Sequence, residues 1–121
     1  MGVSFVPASA GGSGGGEQII TLPAIQVADG DYASKRFRVA TGRKLTVKET
    51  GVETASGTLP GGLLTVIRNQ TEETELFSEE TTKATGDELA SVTGPALVEF
   101  RSVNGSGAER TVVGHHIVQI D

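Results

Sequence analysis

The most constraining feature of this sequence is the spacing of its apolar residues. From Gln18 onward, short runs that are apolar or that alternate between apolar and polar residues recur roughly every 8–12 residues, separated by Gly, Asn, Asp or Pro. No stretch keeps helical periodicity over about a dozen residues. The pattern predicts an all-β protein: an antiparallel β-sandwich or jelly roll of about eight strands, preceded by an extended N-terminal arm.

The individual runs carry further detail. Pro23 interrupts the first run and lacks a backbone N–H, which predicts an edge strand or a bulge there. Runs 36–39 and 44–48 alternate cleanly on either side of a turn at Gly42, and they predict a β-hairpin. Run 63–67 is apolar on both faces, as a central strand would be, and run 88–92 predicts a weak strand or one helical turn. The remaining predicted strands are 74–78, 96–103 and 110–120.

Alternation also assigns side chains to the core. We expect the following residues to point inward: Phe37, Val39, Leu45, Val47, Val98 and Phe100. At 121 residues the chain has room for one hydrophobic core. We therefore predict a Gly-rich arm over residues 1–17 and one β-sandwich domain over residues 18–121.

The glycine run 11–16 does not match a phosphate-binding loop. Such a loop lies between a strand and a helix and ends in Gly-Lys-Ser/Thr. Here Gly16 is followed by Glu17, which would repel a phosphate, and then by a predicted strand. A glycine-rich stretch buries too little apolar surface to order itself, so we expect it to be a flexible coil unless a neighbour holds it.

Composition excludes several functions. Cysteine is absent, so no disulfide or thiolate metal site can form. The net charge of −5 argues against a nucleic-acid partner, and the densest basic spot, residues 35–38, divides its charges between two faces of a strand. Nowhere do about 18 apolar residues follow one another, so we expect no helix that spans a membrane. The first residues do not resemble a secretion signal. We expect a soluble protein with no membrane partner.

Titratable clusters receive structural interpretations. His115 and His116 are neighbours in a predicted strand, so they point to opposite faces and do not grip one metal ion together. Carboxylates crowd positions 72–80 without the Asp/Asn spacing of a calcium loop, and the pair Asp29 and Asp31 has no further ligands nearby. Structural histidines and solvated carboxylates are favoured over ligand or cation sites. We expect no catalytic residue, metal site or cofactor, and hence no enzyme.

The strand spacing over 36–52, 62–69 and 96–104 resembles that of small jelly-roll decoration or turret proteins, which cap the heads of tailed viruses. It also looks like that of secreted β-sandwich modules. The resemblance covers about residues 34–121 and has no diagnostic motif. It implies a non-enzymatic protein displayed on a larger assembly, as a trimer or pentamer.

These observations lead to a functional hypothesis with one alternative. We expect a structural protein on a virion surface or similar assembly, with copies of itself and a major shell or capsid protein as partners. The arm would anchor it, and the residues expected to bind the partner are Val3, Phe5, Val6, Gly11, Gly12, Gly14, Gly15 and Gly16. The alternative is a carbohydrate- or ligand-binding module, extracellular or cytoplasmic, that uses Tyr32 and Phe77 as surface aromatics.

Overall fold

The computed structural model describes residues 3–5, 16–57 and 60–121, and within these ranges every regular element is a β-strand. The described residues contain no helix that is long and apolar enough to cross a membrane. The strands are β1 (Val3–Phe5), β2 (Gly16–Val27), β3 (Asp31–Val39), β4 (Lys44–Thr54), β5 (Leu63–Asn69), β6 (Thr74–Glu79), β7 (Ala84–Thr93), β8 (Ala96–Asn104) and β9 (Arg110–Ile120).

The strands form two sheets that pack as a sandwich. The five-stranded sheet has the order β1-β3-β8-β5-β6, and the four-stranded sheet has the order β2-β9-β4-β7. Strands β2 to β9 pair antiparallel, so the predicted eight-stranded antiparallel sandwich is confirmed. Strand β1 adds to β3 in parallel. A parallel pair needs a crossover between its strands, and here β2, in the opposite sheet, supplies it.

Several local predictions are confirmed. β2 is the last strand of its sheet, and its register with β9 shifts between Leu22 and Ile25, on either side of Pro23. β5 lies between β8 and β6, as its apolar faces predicted. The weak run 88–92 belongs to strand β7 and not to a helical turn. β2 begins at Gly16, two residues before the predicted start of the domain.

The predicted hairpin over 36–39 and 44–48 is wrong. β3 pairs with β8 in the five-stranded sheet, whereas β4 pairs with β7 and β9 in the four-stranded sheet. The turn between them closes with a bond from Arg43 N to Ala40 O of 3.1 Å, and Gly42 takes a φ of 80°. This turn carries the chain from one sheet to the other. Alternation shows which side chains face the core, but not which strand is the neighbour.

All six side chains predicted to point inward are buried, and they belong to a core of two clusters. The larger cluster comprises Ile20, Phe37, Val39, Leu45, Val47, Ile67, Phe77, Ala90, Val92, Ala96, Val98, Phe100, Val118 and Ile120. The smaller cluster comprises Leu22, Val27, Ala33, Val52, Leu63 and Val112. Phe77 is 8% exposed, so the expectation that it offers a surface aromatic for a ligand is wrong.

Polar side chains lie between the two clusters. Most strands have one polar residue among their inward-pointing positions, and these residues lie at a similar height in the sandwich. On β5, for example, Thr65 lies between Ile67 of the larger cluster and Leu63 of the smaller one. We call this set the polar belt; it consists of Lys35, Thr50, Thr65, Ser102 and His116. All but Lys35 are fully buried, and Lys35 extends its amine to the carbonyl oxygen of Thr21 on β2, at 3.1 Å.

Candidate functional site

Arginines from three neighbouring strands meet on the outer face of the five-stranded sheet. On β8 the buried Val98 and Phe100 point inward, so Glu99 and Arg101 between and beside them point outward. The register places Arg36 of β3 and Arg68 of β5 on either side of Glu99. This face therefore gathers four of the chain's ten basic residues. We call these four, Arg36, Arg38, Arg68 and Arg101, the Arg face.

Glu99 lies beneath the Arg face and orders it. Its side chain is only 2% exposed. Arg101 Nε donates to Glu99 Oε1 at 2.5 Å, Arg36 Nε lies 3.8 Å from Glu99 Oε2, and Gln70 Nε2 donates to Glu99 Oε1. A buried carboxylate is tolerated when cationic and amide donors surround it. Glu99 thus hydrogen-bonds Arg101 and forms an ion pair with Arg36, which brings two guanidinium groups together at the centre of the face.

The remaining arginines occupy the periphery of the face. Arg68 Nη2 donates to the carbonyl oxygen of Glu73 at 3.4 Å, and Arg38 is exposed beside Leu97 of β8. The guanidinium of Arg101 also lies 4.4 Å from the centre of the Tyr32 ring, in cation–π geometry. One face of that ring is thus already covered.

Such a surface is suited to binding carboxylates. A guanidinium is planar, remains charged at any physiological pH, and pairs with a carboxylate through two parallel hydrogen bonds. Holding Arg36 and Arg101 in place beforehand reduces the side-chain entropy that binding would cost. The arrangement offers fixed positive charge and donors, without a nucleophile or base among its residues.

The sequence prediction for this region was half right. Residues 35–38 do divide between two faces, since Lys35 enters the polar belt while Arg36 and Arg38 point outward. The prediction missed Arg68 and Arg101, which lie far away in the chain and reach the same face through strand pairing. The available signal was alternation, since Arg68 follows the apolar Ile67 and Arg101 follows the apolar Phe100.

The histidines point to opposite faces, as predicted. His115 is half-exposed, and its Nε2 lies 2.7 Å from Glu49 Oε2. Glu49 Oε1 in turn lies 3.5 Å from the amine of Lys83. This ion pair stays on the outer face of the four-stranded sheet, away from the Arg face.

His116 is fully buried in the polar belt. Its Nδ1 shares a 2.6 Å hydrogen bond with Thr50 Oγ1, and its ring lies 4.6 Å from that of Phe100. Burial, with smaller contributions from the neighbouring His115 and Lys35, lowers the pKa of His116 to about 3. The imidazole is therefore neutral at physiological pH.

Three belt atoms have no hydrogen-bond partner among the described residues: Thr65 Oγ1, Ser102 Oγ and His116 Nε2. Gly114 makes room for two of them, because a Cβ there would lie 2.6 Å from Ser102 Oγ and 3.4 Å from His116 Nε2. A serine and a histidine near each other suggest nucleophilic chemistry, but both are fully buried, which leaves no path for a substrate.

The carboxylates of 72–80 remain on the surface. Two of them accept hydrogen bonds: Glu72 Oε1 from Asn69 Nδ2 at 3.2 Å, and Glu80 Oε1 from Gly62 N at 2.7 Å. Asp29 Oδ1 accepts from Gly107 N at 2.8 Å, and Asp31 Oδ1 accepts from Tyr32 N at 2.8 Å at the start of β3. Across the part of the chain that the structure describes, no three His, Asp or Glu residues converge as metal ligands.

A small pocket of about 340 Å³ opens at the end of the sandwich. It is lined by Val52, Gly61, Leu63, Glu80, Thr81 and Thr82. The lining contains no aromatic residue on which a sugar ring could stack. The pocket therefore offers less to a carbohydrate than the Arg face offers to a carboxylate.

The predicted partner-binding residues of the arm fall mostly outside the described ranges: Val6, Gly11, Gly12, Gly14 and Gly15. Val3 and Phe5 belong to β1, which pairs with residues 33–35 of β3 in the same chain. Gly16 is the first residue of β2 and has a φ of 113°. β1 thus extends the five-stranded sheet at the edge of the Arg face.

The fold and the face define a β-sandwich protein with an arginine-rich outer face. Neither a protein-family model nor a curated protein sequence matches the chain. Solved structures do share its fold. One is Aeromonas hydrophila PliG, a periplasmic inhibitor of g-type lysozyme, which is 7% identical with a TM-score of 0.57 over 99% of this chain and 97% of that one.

Two further structures extend the comparison. The Drosophila NLP core, described in terms of pentamer formation and histone binding, is 15% identical with a TM-score of 0.53, covering 88% of this chain and 98% of that one. FlhE is 19% identical with a TM-score of 0.54, covering 89% and 97%. At these identities the likeness concerns the fold alone.

Proposed function

We propose that this chain is a non-enzymatic structural protein that works by binding other proteins, and that the Arg face is its contact surface for an acidic protein segment. The observation that carries the proposal is the buried Glu99, which holds Arg36 and Arg101 in position on an otherwise open sheet face. A carboxylate buried at this cost orders the surface above it. An ordered array of guanidinium groups is suited to recognising carboxylates.

Stacking favours a protein partner over a nucleic acid. Binding of single strands uses exposed aromatic rings on which bases stack. Tyr32, the aromatic residue beside the Arg face, already has Arg101 over its ring.

An acidic peptide tests the proposal directly. A fluorescently labelled oligoglutamate peptide is titrated with the full chain and with an R38Q/R68Q double variant. These two arginines do not contact Glu99, so their replacement leaves the centre of the face intact. We expect affinity for the peptide to fall about five- to tenfold, since each exposed ion pair contributes up to about 1 kcal/mol, and to weaken as salt rises.

The matched control is R43Q/K48Q, which removes the same charge from the turn before β4 and from β4 itself, in the other sheet. It is expected to bind the peptide as the unmodified chain does. Equal losses in both variants would mean that net charge alone attracts the peptide. Tighter binding of a single-stranded oligonucleotide than of oligoglutamate would also overturn the proposal.

The arm favours one particular setting for this function, a virion head or similar shell. β1 adds to the edge of β3 through backbone pairing, and a sheet edge accepts a strand from any chain. In this setting the arm anchors the protein to a major shell protein. The test is a V3D/F5D variant in the full chain: incorporation into the assembly is expected to fall at least about tenfold, and undiminished incorporation would contradict anchoring.

A further inference from the structure

The pocket at the end of the sandwich has walls from two connections that are bonded to each other. One wall comes from the connection between β4 and β5 and includes Gly61. The other comes from the connection between β6 and β7 and includes Glu80, Thr81 and Thr82. Gly62 N donates to Glu80 Oε1 at 2.7 Å, and this bond ties the two walls together.

The second wall is also fastened to β4. Val52 N donates to the carbonyl oxygen of Thr81 at 3.1 Å. Gly51 allows this close approach, because a Cβ there would overlap the carbonyl oxygen of Thr82. The cavity is therefore formed before a ligand enters, which reduces the entropy that binding would cost.

The lining combines an apolar floor with a rim of hydrogen-bond acceptors. Val52 and Leu63 form the floor and belong to the smaller core cluster. Glu80 is exposed at the rim, and its second carboxylate oxygen has no partner among the described residues. Thr81 and Thr82 add hydroxyl groups. None of the described lining residues is a Lys, Arg or His, so the rim is suited to a ligand that donates hydrogen bonds.

The charge of the surrounding chain also favours a cation. Residues 72–88 contain seven of the fifteen acidic residues and one of the ten basic residues, which gives this segment a net charge of −6. The one basic residue is Lys83, which follows the lining in the sequence, and its amine lies 3.5 Å from Glu49 Oε1. A small cation near the pocket is therefore attracted by the segment as a whole.

We propose that this pocket binds a primary ammonium group carried on a short aliphatic chain. The ammonium donates to Glu80 and to the threonine hydroxyls, while the methylene groups pack on Val52 and Leu63. The volume of about 340 Å³ is at the small end of the range for ligand pockets, which suits a chain of about four carbon atoms. A free alkylamine and the side chain of a lysine in a partner protein both present this chemistry.

Chemical-shift perturbation in the full chain tests the proposal. n-Butylamine is titrated into the isotope-labelled protein at pH 7 and low salt, and the amide signals of residues 51–52, 61–63 and 80–82 are followed. We expect saturable shifts there with a Kd on the order of 1 mM. n-Butanol lacks the charge and is expected to bind about fivefold more weakly. Equal binding of the amine and the alcohol, or an absence of shifts at these amides, would overturn the proposal.

An E80Q variant separates the charge of Glu80 from its structural bond. Glutamine keeps an oxygen that accepts from Gly62 N, so the two walls stay tied, but the carboxylate charge is lost. E80Q is expected to bind n-butylamine about fivefold more weakly than the unmodified chain does. The matched control is E79Q, which removes the same charge from a residue outside the lining and is expected to bind normally. Equal weakening in both variants would mean that the net charge of the segment alone attracts the amine, which would overturn the pocket.

Two peptides distinguish the sources of the amine. One contains a single lysine between glycines with both ends blocked, and the other contains Nε-acetyllysine at the same position. Shifts at the pocket from the lysine peptide support a lysine side chain as the ligand, whereas shifts from n-butylamine alone support a free amine. Equal binding of the two peptides would contradict an ammonium site. R38Q/R68Q should bind n-butylamine normally, because the pocket shares no residue with the Arg face, so failure of either proposal leaves the other standing.

Discussion

Glu99 and His116 are both buried ionisable residues, but their surroundings differ. Glu99 lies under the outer face of the five-stranded sheet, has Arg101 and Gln70 as hydrogen-bond donors, and forms an ion pair with Arg36 at 3.8 Å. His116 lies between the sheets, where Thr50 is its hydrogen-bond partner and its second ring nitrogen has none among the described residues. The carboxylate has cationic partners of opposite charge, whereas the hydrogen-bond partner of the imidazole is a neutral hydroxyl.

The difference follows from how closely water and opposite charges can approach each group. A group near the surface keeps its charge when cationic side chains cover it, whereas a group between two sheets is easier to keep neutral. Glu99 can therefore order a binding surface. His116 connects β9 to β4 without adding charge to the core. Substitutions at each site should therefore show whether Glu99 and His116 have these different roles.

The largest expected effect is the loss of stability in acid through His116. Burial lowers the pKa of His116 from 6.5 to about 3, so between these values the unfolded chain takes up a proton that the folded chain refuses. Stability is therefore fully present above pH 6.5 and is lost as pH falls toward 3, by about 1.4 kcal/mol per pH unit. Urea unfolding should show a loss from this group of about 2 kcal/mol between pH 7 and pH 5, and of about 4 kcal/mol between pH 7 and pH 3.

One variant isolates the effect. H116Q removes the titrating group and should show a smaller difference between pH 7 and pH 5 than the unmodified chain does. An unchanged pH dependence in H116Q would mean that another group carries it.

The next effect tests how closely the polar belt is packed. In G114A the new Cβ would lie 2.6 Å from Ser102 Oγ and 3.0 Å from Leu22 Cβ. Both neighbours are held in the core, so we expect a loss of about 2–3 kcal/mol in the free energy of unfolding. G86A is the control on β7: its Cβ would meet the end of the Leu89 side chain at 3.1 Å, which can move. Equal stability of G114A and G86A would show that the belt is loosely packed.

The sequence predicted the core better than the connections. Alternation identified Val98 and Phe100 as inward residues, and the missing N–H of Pro23 identified an edge strand, because both signals are local. The partners of β3 and β4 were not predictable in this way. The turn at Gly42 fits a hairpin and a crossing between sheets equally well, and distant strands decide between them.

The candidate site was harder to predict for the same reason. Arg36, Arg68 and Arg101 lie on three strands, and only the register brings them to one face. Alternation correctly assigned Glu99 to the outer face, where exposure is the usual expectation. Its burial arises from the long side chains of its neighbours on adjacent strands, which no local pattern reveals.

A smaller effect is expected from Glu99. E99Q keeps the shape of the side chain but removes the charge between Arg36 and Arg101, so the two guanidinium groups repel each other without compensation. We expect a loss of about 2 kcal/mol in the free energy of unfolding and a weaker affinity for oligoglutamate. E53Q, at an exposed position on β4, should change neither measurement. A stable E99Q that binds the peptide normally would contradict the ordering role of Glu99.

The smallest effect is expected from the bond between Thr50 and His116. T50V keeps the volume of the side chain and removes the hydroxyl, which leaves His116 Nδ1 unpaired in the core at a cost of about 1 kcal/mol. T50S keeps the hydroxyl, so it should retain the bond. T46V makes the same change on the same strand at a buried residue that points to the opposite face. Urea unfolding at pH 7 should therefore give T50V a lower free energy of unfolding than either control. If T50V is as stable as T46V, the imidazole is held by packing against Phe100. That result would sharpen the contrast with the hydrogen-bonded Glu99.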